Sequence, residues 1–120
     1  MNEIKKTFAA KTLLHFYGSD ALEQSKRIEQ IGKDIASKQP DCIDADVVSW
    51  FAYLHAMDLP LKRCRNSLLF ELSDEQMKKL AIACNNYTKP EPPMNDATIK
   101  ACIDAYWMVE NKNMNNLWEK

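Results

Sequence analysis

The stretch that decides the fold is DADVVSWFAYLHAM, which occupies residues 44–57. Nine of the eleven residues from Val47 to Met57 are apolar. Asp44 is a good N-cap, because its carboxylate can accept hydrogen bonds from the first free backbone amides of a helix. The β-branched and aromatic content would also suit a strand, but the length and the absence of turn residues favour a helix. We therefore predict a buried central helix over residues 45–57.

Two helices are predicted before this stretch. Residues 4–17 carry apolar side chains at helical spacing, among them Leu13 and Tyr17. Gly18 should end that helix, and Ser19 should cap the next one. The second helix is expected to run to about Ser37, with an apolar face that consists of Ala21, Ile28, Ile31 and Ile35.

Two more helices are predicted after it. Pro60 should break the chain, because proline lacks the amide hydrogen that a helix requires. A short helix is expected from Lys62 to about Phe70. Ser73, followed by Gln76, is typical of a capping box and predicts a helix from residue 74 to about residue 87.

The last helix is predicted over roughly residues 97–110, with Asp96 as its N-cap. Residues 111–120 form an asparagine-rich polar tail that contains the apolar pair Leu117 and Trp118. We expect this pair to pack on the domain or on a second copy of the chain. The sequence thus predicts an all-α fold, with residues 1–120 as a single domain and a compact bundle of about six helices.

Composition excludes several classes of function. Only 2 of the 120 residues are glycine, so a glycine-rich phosphate loop is excluded. The formal net charge is −1, which offers no electrostatic basis for binding nucleic acid or an anionic membrane. The cysteines, at positions 42, 64, 84 and 102, do not have the spacing of a zinc cluster. Without a signal sequence, we interpret them as reduced core thiols of a cytoplasmic protein.

Four of the predicted helices carry a hydrogen-bonding side chain on an otherwise apolar face. These side chains belong to Gln24, His55, Tyr87 and Asp104. Buried polar groups need partners, so one solution is that the four converge on a common pocket in the bundle core. The alternative is that His55 bonds a backbone carbonyl and that Asp104 faces solvent. Periodicity alone does not decide between the two.

The chain resembles the HD-domain superfamily of helical, metal-dependent phosphohydrolases, which is named for a consecutive His-Asp pair. The resemblance covers about residues 15–110, and its most specific parts are residues 72–76 and 96–104. The stretches that carry it are RIEQIG (27–32), DVVSWFAYLHA (46–56), FELSDEQ (70–76), ACNNYT (83–88), DATI (96–99) and CIDA (102–105). The third and fourth stretches resemble a bacterial branch of the family. The resemblance implies an HD-like helical fold.

The chain departs from the family at most of the metal ligands. Gln24 stands where the family has a histidine, and Ala56 stands where it has the metal-binding aspartate. Tyr87 replaces an additional histidine of the bacterial branch. Only His55 and Asp104 remain, as remnant ligands that would bind a divalent metal weakly, because such sites usually need at least three protein ligands.

The resemblance therefore implies a catalytically inactive HD-like domain. We expect it to act as a small-molecule-binding or protein-interaction module, without a resident cofactor and with a homodimer as the oligomer to test. His55 and Asp104 would then form a buried ion pair or hydrogen-bonded pair. The alternative is a metal-dependent phosphohydrolase that acts on a phosphate ester or nucleotide through an incomplete metal site.

Overall fold

The computed structural model describes the backbone of residues 3–56, 72–89, 91–92 and 94–118, and the side chains of these residues except at 3–5 and 111–118. Within this part the chain forms five helices and no strand. They are α1 (Glu3–Tyr17), α2 (Ser19–Lys38), α3 (Ala45–Leu54), α4 (Asp74–Asn86) and α5 (Ala97–Trp118). The predicted all-α class is confirmed. The additional short helix predicted at residues 62–70 lies outside the described residues.

Helix α3 is the centre of the bundle. All eight residues from Val47 to Leu54 are buried, and the helix packs against each of the other four. Trp50, Phe51 and Tyr53 are among the largest side chains of the core, and their burial removes a large apolar area from water. Apolar burial of this kind is the main favourable contribution to folding. The helix ends at Leu54, three residues before the predicted Met57, and a turn follows at residues 55–56.

Three of the four predicted side-chain caps are present, those at Asp44, Ser73 and Asp96. Asp44 accepts hydrogen bonds from the amides of residues 46 and 47, and Asp96 accepts them from the amides of residues 98 and 99. Ser73 and Gln76 form the reciprocal bonds of a capping box, at 3.1 and 2.8 Å. Each cap satisfies amides that the first turn of its helix leaves without an intrahelical partner.

The junction between α1 and α2 differs from the prediction. Gly18, not Ser19, occupies the N-cap position of α2, and Ser19 is the first helical residue. Gly18 has a φ of 92°, a conformation that glycine adopts without a steric penalty. Its amide also donates to the carbonyl of Leu14, at 3.1 Å. A single glycine therefore ends α1 and begins α2.

The buried face of α2 is displaced from the predicted one. Ile28 is buried as expected, whereas Ala21, Ile31 and Ile35 are only half-buried at the edge of the interface. The residues of the buried face are Ser25, Ile28, Glu29, Gly32 and Ala36. A Cβ at Gly32 would overlap Cγ1 of Val48. Small residues on α2 therefore allow α3 to approach closely, and this close approach places the larger isoleucines at the edge.

Helix α5 is longer than predicted. It continues to Trp118 instead of ending near Glu110, so residues 111–118 are helical and do not form an irregular tail. The side chains of Leu117 and Trp118 lie outside the described part of the structure. The expectation that they pack on the domain or on a second copy therefore stays a prediction. In the described part of the chain, no helix combines the length and the apolar character that crossing a membrane requires.

None of the three cysteines that the structure describes, Cys42, Cys84 and Cys102, forms a disulfide bond. Cys102 is fully buried, as predicted, and its burial raises the pKa of the thiol well above the ordinary value. Cys42 is exposed in the loop before α3, so the prediction of a core position is wrong for this residue. Cys84 is half-buried, and Cys64 lies outside the described residues.

Candidate functional site

Two of the four predicted site residues lie in direct contact. His55 follows the last residue of α3, Tyr87 follows the last residue of α4, and both serve as C-caps. Their ring centroids are 5.2 Å apart, with the ring planes nearly perpendicular. The ends of α3 and α4 therefore bring these two side chains together.

Both residues belong to a group of five packed rings, which we call the aromatic cluster. Its members are Phe51, His55, Tyr87, Tyr106 and Trp107. The shortest centroid distance, 4.7 Å, joins Tyr87 to Tyr106. The indole Nε1 of Trp107 donates to the carbonyl of Tyr87, at 2.9 Å. Edge-to-face contacts and this hydrogen bond hold the C-terminal end of α4 against α5.

The imidazole of His55 is bonded to its own helix. Nδ1 lies 3.1 Å from the carbonyl oxygen of Phe51 and 2.9 Å from that of Ala52. Since both neighbours are acceptors, Nδ1 carries the proton and Nε2 keeps its lone pair. Burial lowers the pKa of His55 below the ordinary value of 6.5, although the two backbone hydrogen bonds raise it in part. The ring is therefore neutral at pH 7.

Gln24 reaches the aromatic cluster only through an intermediary. Its Nε2 donates to Oε1 of Glu110, and both side chains are half-buried. The carboxylate of Glu110 in turn acts on Tyr106, whose pKa is raised by burial and then by the charges of Glu110 and Tyr87. Gln24 is thus bonded to Glu110, which lies four positions after Tyr106 on α5.

Asp104 does not join His55. No hydrogen bond or ion pair links the two in the described part of the chain. Asp104 is half-buried on α5. Within the described residues the expected pair is not seen, and Nδ1 of His55 bonds its own backbone. Among the described residues, no three His, Cys, Asp or Glu side chains are grouped so that they could hold a metal ion.

A second polar group, centred on Glu29, was not predicted. Only 8% of the Glu29 side chain is exposed. Oε1 accepts from the hydroxyl of Tyr53 at 3.1 Å and lies 3.0 Å from Nζ of Lys6. Oε2 lies 3.7 Å from Nζ of Lys33. One buried carboxylate thus ties α1, α2 and α3 together. Glu29 directly follows Ile28, a residue of the predicted apolar face of α2. This position next to the apolar face is the sequence signal that could have identified Glu29 as a buried residue.

A cleft of about 660 Å³ lies where the N-termini of α3 and α5 meet the C-terminal part of α2. Lys33 and Lys79 line it together with Asp41 and Asp44. Lys79 is held by the N-cap carboxylate of Asp96 at 3.3 Å. Because the nearby lysines and carboxylates balance each other, the cleft has no strong preference for ligands of either charge.

The chain matches no protein-family model, no curated protein and no solved structure. The resemblance to the HD superfamily consequently depends on the residues quoted above.

Proposed function

We propose that this protein is a catalytically inactive, HD-like helical domain that acts as a binding module. The observation that carries the proposal is the environment of His55. Aromatic rings of Phe51, Tyr87 and Tyr106 surround the imidazole, and Nδ1 is engaged by backbone carbonyls. A metal-activating histidine would instead need carboxylate or imidazole neighbours that share the same ion.

The residues present do not fit the metal centre of an active HD enzyme. His55 offers one lone pair, at Nε2, and Asp104 offers one carboxylate. Gln24 is engaged with Glu110, and Tyr87 supplies a phenol, which is a poor ligand while it is protonated. Ala56 supplies no ligand atom. This set supports a binding role over the alternative, a metal-dependent phosphohydrolase.

The aromatic cluster offers a surface for a small molecule. Tyr106 and Tyr87 are half-buried, so part of each side chain remains accessible, and Glu110 lies one helical turn after Tyr106 on α5. Aromatic faces next to a carboxylate favour a planar ligand that carries a positive charge. A protein partner that inserts a basic or aromatic side chain would use the same chemistry.

Metal analysis of the full chain separates the two functions. Protein purified without added chelator should contain less than one tightly bound equivalent of any transition metal, and added manganese or nickel should leave its melting temperature unchanged. One tightly bound metal equivalent that is lost in Asp104→Ala would instead favour the metal-dependent phosphohydrolase.

A thermal-shift screen tests the binding role at the aromatic cluster. Planar organic cations should raise the melting temperature of the wild-type chain but not that of Tyr106→Leu. Tyr17→Leu, which removes an exposed tyrosine on α1, is the matched control and should respond as the wild type does. Equal shifts in both variants would place any binding elsewhere on the protein.

A further inference from the structure

A groove between α1 and α2 has an apolar floor and a basic rim. It has a volume of about 250 Å³, and its floor is formed by Leu14, Leu22 and the ring of Tyr53. Three lysines stand around it, Lys6, Lys11 and Lys26, and no carboxylate is among the residues that line it. The two other clefts described contain carboxylates as well as lysines: Asp41 and Asp44 in the large cleft, and Asp96 in a cleft beside the start of α5.

The groove is held in shape from behind by Glu29. Its buried carboxylate binds Lys6 on the rim at 3.0 Å and the hydroxyl of Tyr53 on the floor at 3.1 Å. Rim and floor are therefore fixed relative to each other before anything binds, which lowers the entropy cost of binding. Lys26 has only a loose surface ion pair with Glu23, at 3.9 Å, and such a pair is easily exchanged.

The dimensions of the groove favour a helix over a small molecule. A volume of about 250 Å³ lies below the roughly 300–1,000 Å³ of pockets that enclose ligands. Lys11, Leu14 and Lys26 are exposed, so the groove is open along its length. Ala10 and Leu14 lie one turn apart on α1, and Leu14 keeps 47% of its surface exposed. An open apolar track between two helices is the geometry that accepts a third helix.

We propose that this groove binds an acidic amphipathic helix of a partner protein. Leucine-type side chains of that helix would cover Leu14 and Leu22, and glutamates beside them would face Lys11 and Lys26. Lys6 would keep its ion pair with Glu29. A second copy of this chain fits less well, because a two-fold contact through the groove would bring the same three lysines together. The inference uses none of the contacts of His55 and is independent of the proposed function of the aromatic cluster.

The test uses the full chain and a fluorescein-labelled synthetic peptide. The peptide has about 14 residues, enough for four helical turns, and would present leucine on one face and glutamate on the other when it is helical. We expect saturable binding by fluorescence anisotropy that weakens as salt rises from about 50 to about 500 mM. A peptide with lysine in place of every glutamate should not bind.

Matched variants locate the contact. Leu14→Glu and Lys11→Glu should each weaken binding by roughly tenfold or more, which corresponds to about 1.4 kcal/mol. Met108→Glu and Lys100→Glu make the same changes at exposed positions on α5 and should bind as the wild type does. All four side chains replaced are at exposed positions, so the variants should fold, and thermal unfolding checks this.

Three results would overturn the proposal. The first is no saturable binding of the acidic peptide, and the second is equal binding of the lysine peptide. The third is a wild-type dimer in sedimentation that Leu14→Glu converts to a monomer, because the occupant would then be a second copy of the chain.

Discussion

Nε2 of Gln76 donates a hydrogen bond of 2.7 Å to Oδ2 of Asp44, so the capping box of α4 is joined to the N-cap of α3. Oδ1 of the same carboxylate accepts from the amides that begin α3. The backbone amide of Asp44 donates to Oγ1 of Thr98, in the first turn of α5, at 3.0 Å. Three helix N-termini are thus linked through one aspartate.

Asp44 and Gln76 should therefore be energetically coupled. Asp44→Ala should reduce the free energy of unfolding by about 1–3 kcal/mol, because it removes an N-cap and the hydrogen bond from Gln76 at once. The backbone amide that donates to Thr98 remains. A double-mutant cycle with Gln76→Ala should give a coupling energy of about 0.5–1.5 kcal/mol in urea denaturation. The control is Asp41→Ala, an exposed change in the same loop, which should have little effect. Additive effects of Asp44→Ala and Gln76→Ala would contradict the link.

Gly32 should not tolerate alanine, although alanine favours helices. The added methyl group would overlap Cγ1 of Val48, so α2 and α3 would have to separate. Overpacking at this contact should cost about 1–3 kcal/mol of unfolding free energy. The gain in helix propensity, roughly 1 kcal/mol, offsets only part of that cost, so Gly32→Ala should destabilise the protein. Val48→Ala should restore much of the loss when it is combined with Gly32→Ala. A single Gly32→Ala variant as stable as the wild type in thermal unfolding would disprove this close contact.

Burial of His55 should make stability depend on pH. The pKa of His55 is lowered in the folded state, so the unfolded chain takes up a proton near pH 6.5 while the folded chain remains neutral. The contribution of His55 to stability is complete above pH 6.5 and is lost as pH falls from that value toward the folded pKa.

The measurement is the free energy of unfolding between pH 7.5 and about 5, from urea titrations. The decrease in stability should be smaller in His55→Phe than in the wild type, because phenylalanine fills the same space without titrating. His15→Phe, at the exposed histidine of α1, is the matched control and should keep the wild-type dependence. Identical slopes in all three proteins would show that His55 does not titrate differently on folding.

Membership of the HD superfamily can be tested by restoring the missing ligands. The changes Gln24→His, Ala56→Asp and Tyr87→His would complete the family's metal set beside His55 and Asp104. Without metal, Ala56→Asp should destabilise by about 1–3 kcal/mol, because it places a carboxylate at a half-buried position against the core. Metal that binds only the folded state should restore about 2.7 kcal/mol at a hundredfold excess over its dissociation constant.

The readout is the melting temperature with and without manganese, iron(II), cobalt or nickel. Adding Asp104→Ala to the triple variant should abolish the metal response, because it removes one of the five ligands. A triple variant that folds but does not respond to any of these metals would mean that the five positions do not converge, and the HD proposal would fail.

Local features were predictable because they depend on residues within about four positions of each other. The caps at Asp44, Ser73 and Asp96, and the burial of α3, followed from the sequence pattern alone. The face of α2 was predicted less well. Periodicity identifies an apolar stripe but not the rotation that lets a small residue such as Gly32 meet α3.

Only the tertiary structure decided which polar groups meet. Gln24 and its partner Glu110 are 86 positions apart, and no local pattern relates them. His55 lies beyond the end of α3, where it contacts the carbonyls of Phe51 and Ala52 and the rings of α4 and α5 instead of Asp104. The reason is physical: a buried polar group takes the nearest satisfactory partner, and which partner is nearest depends on how the helices pack.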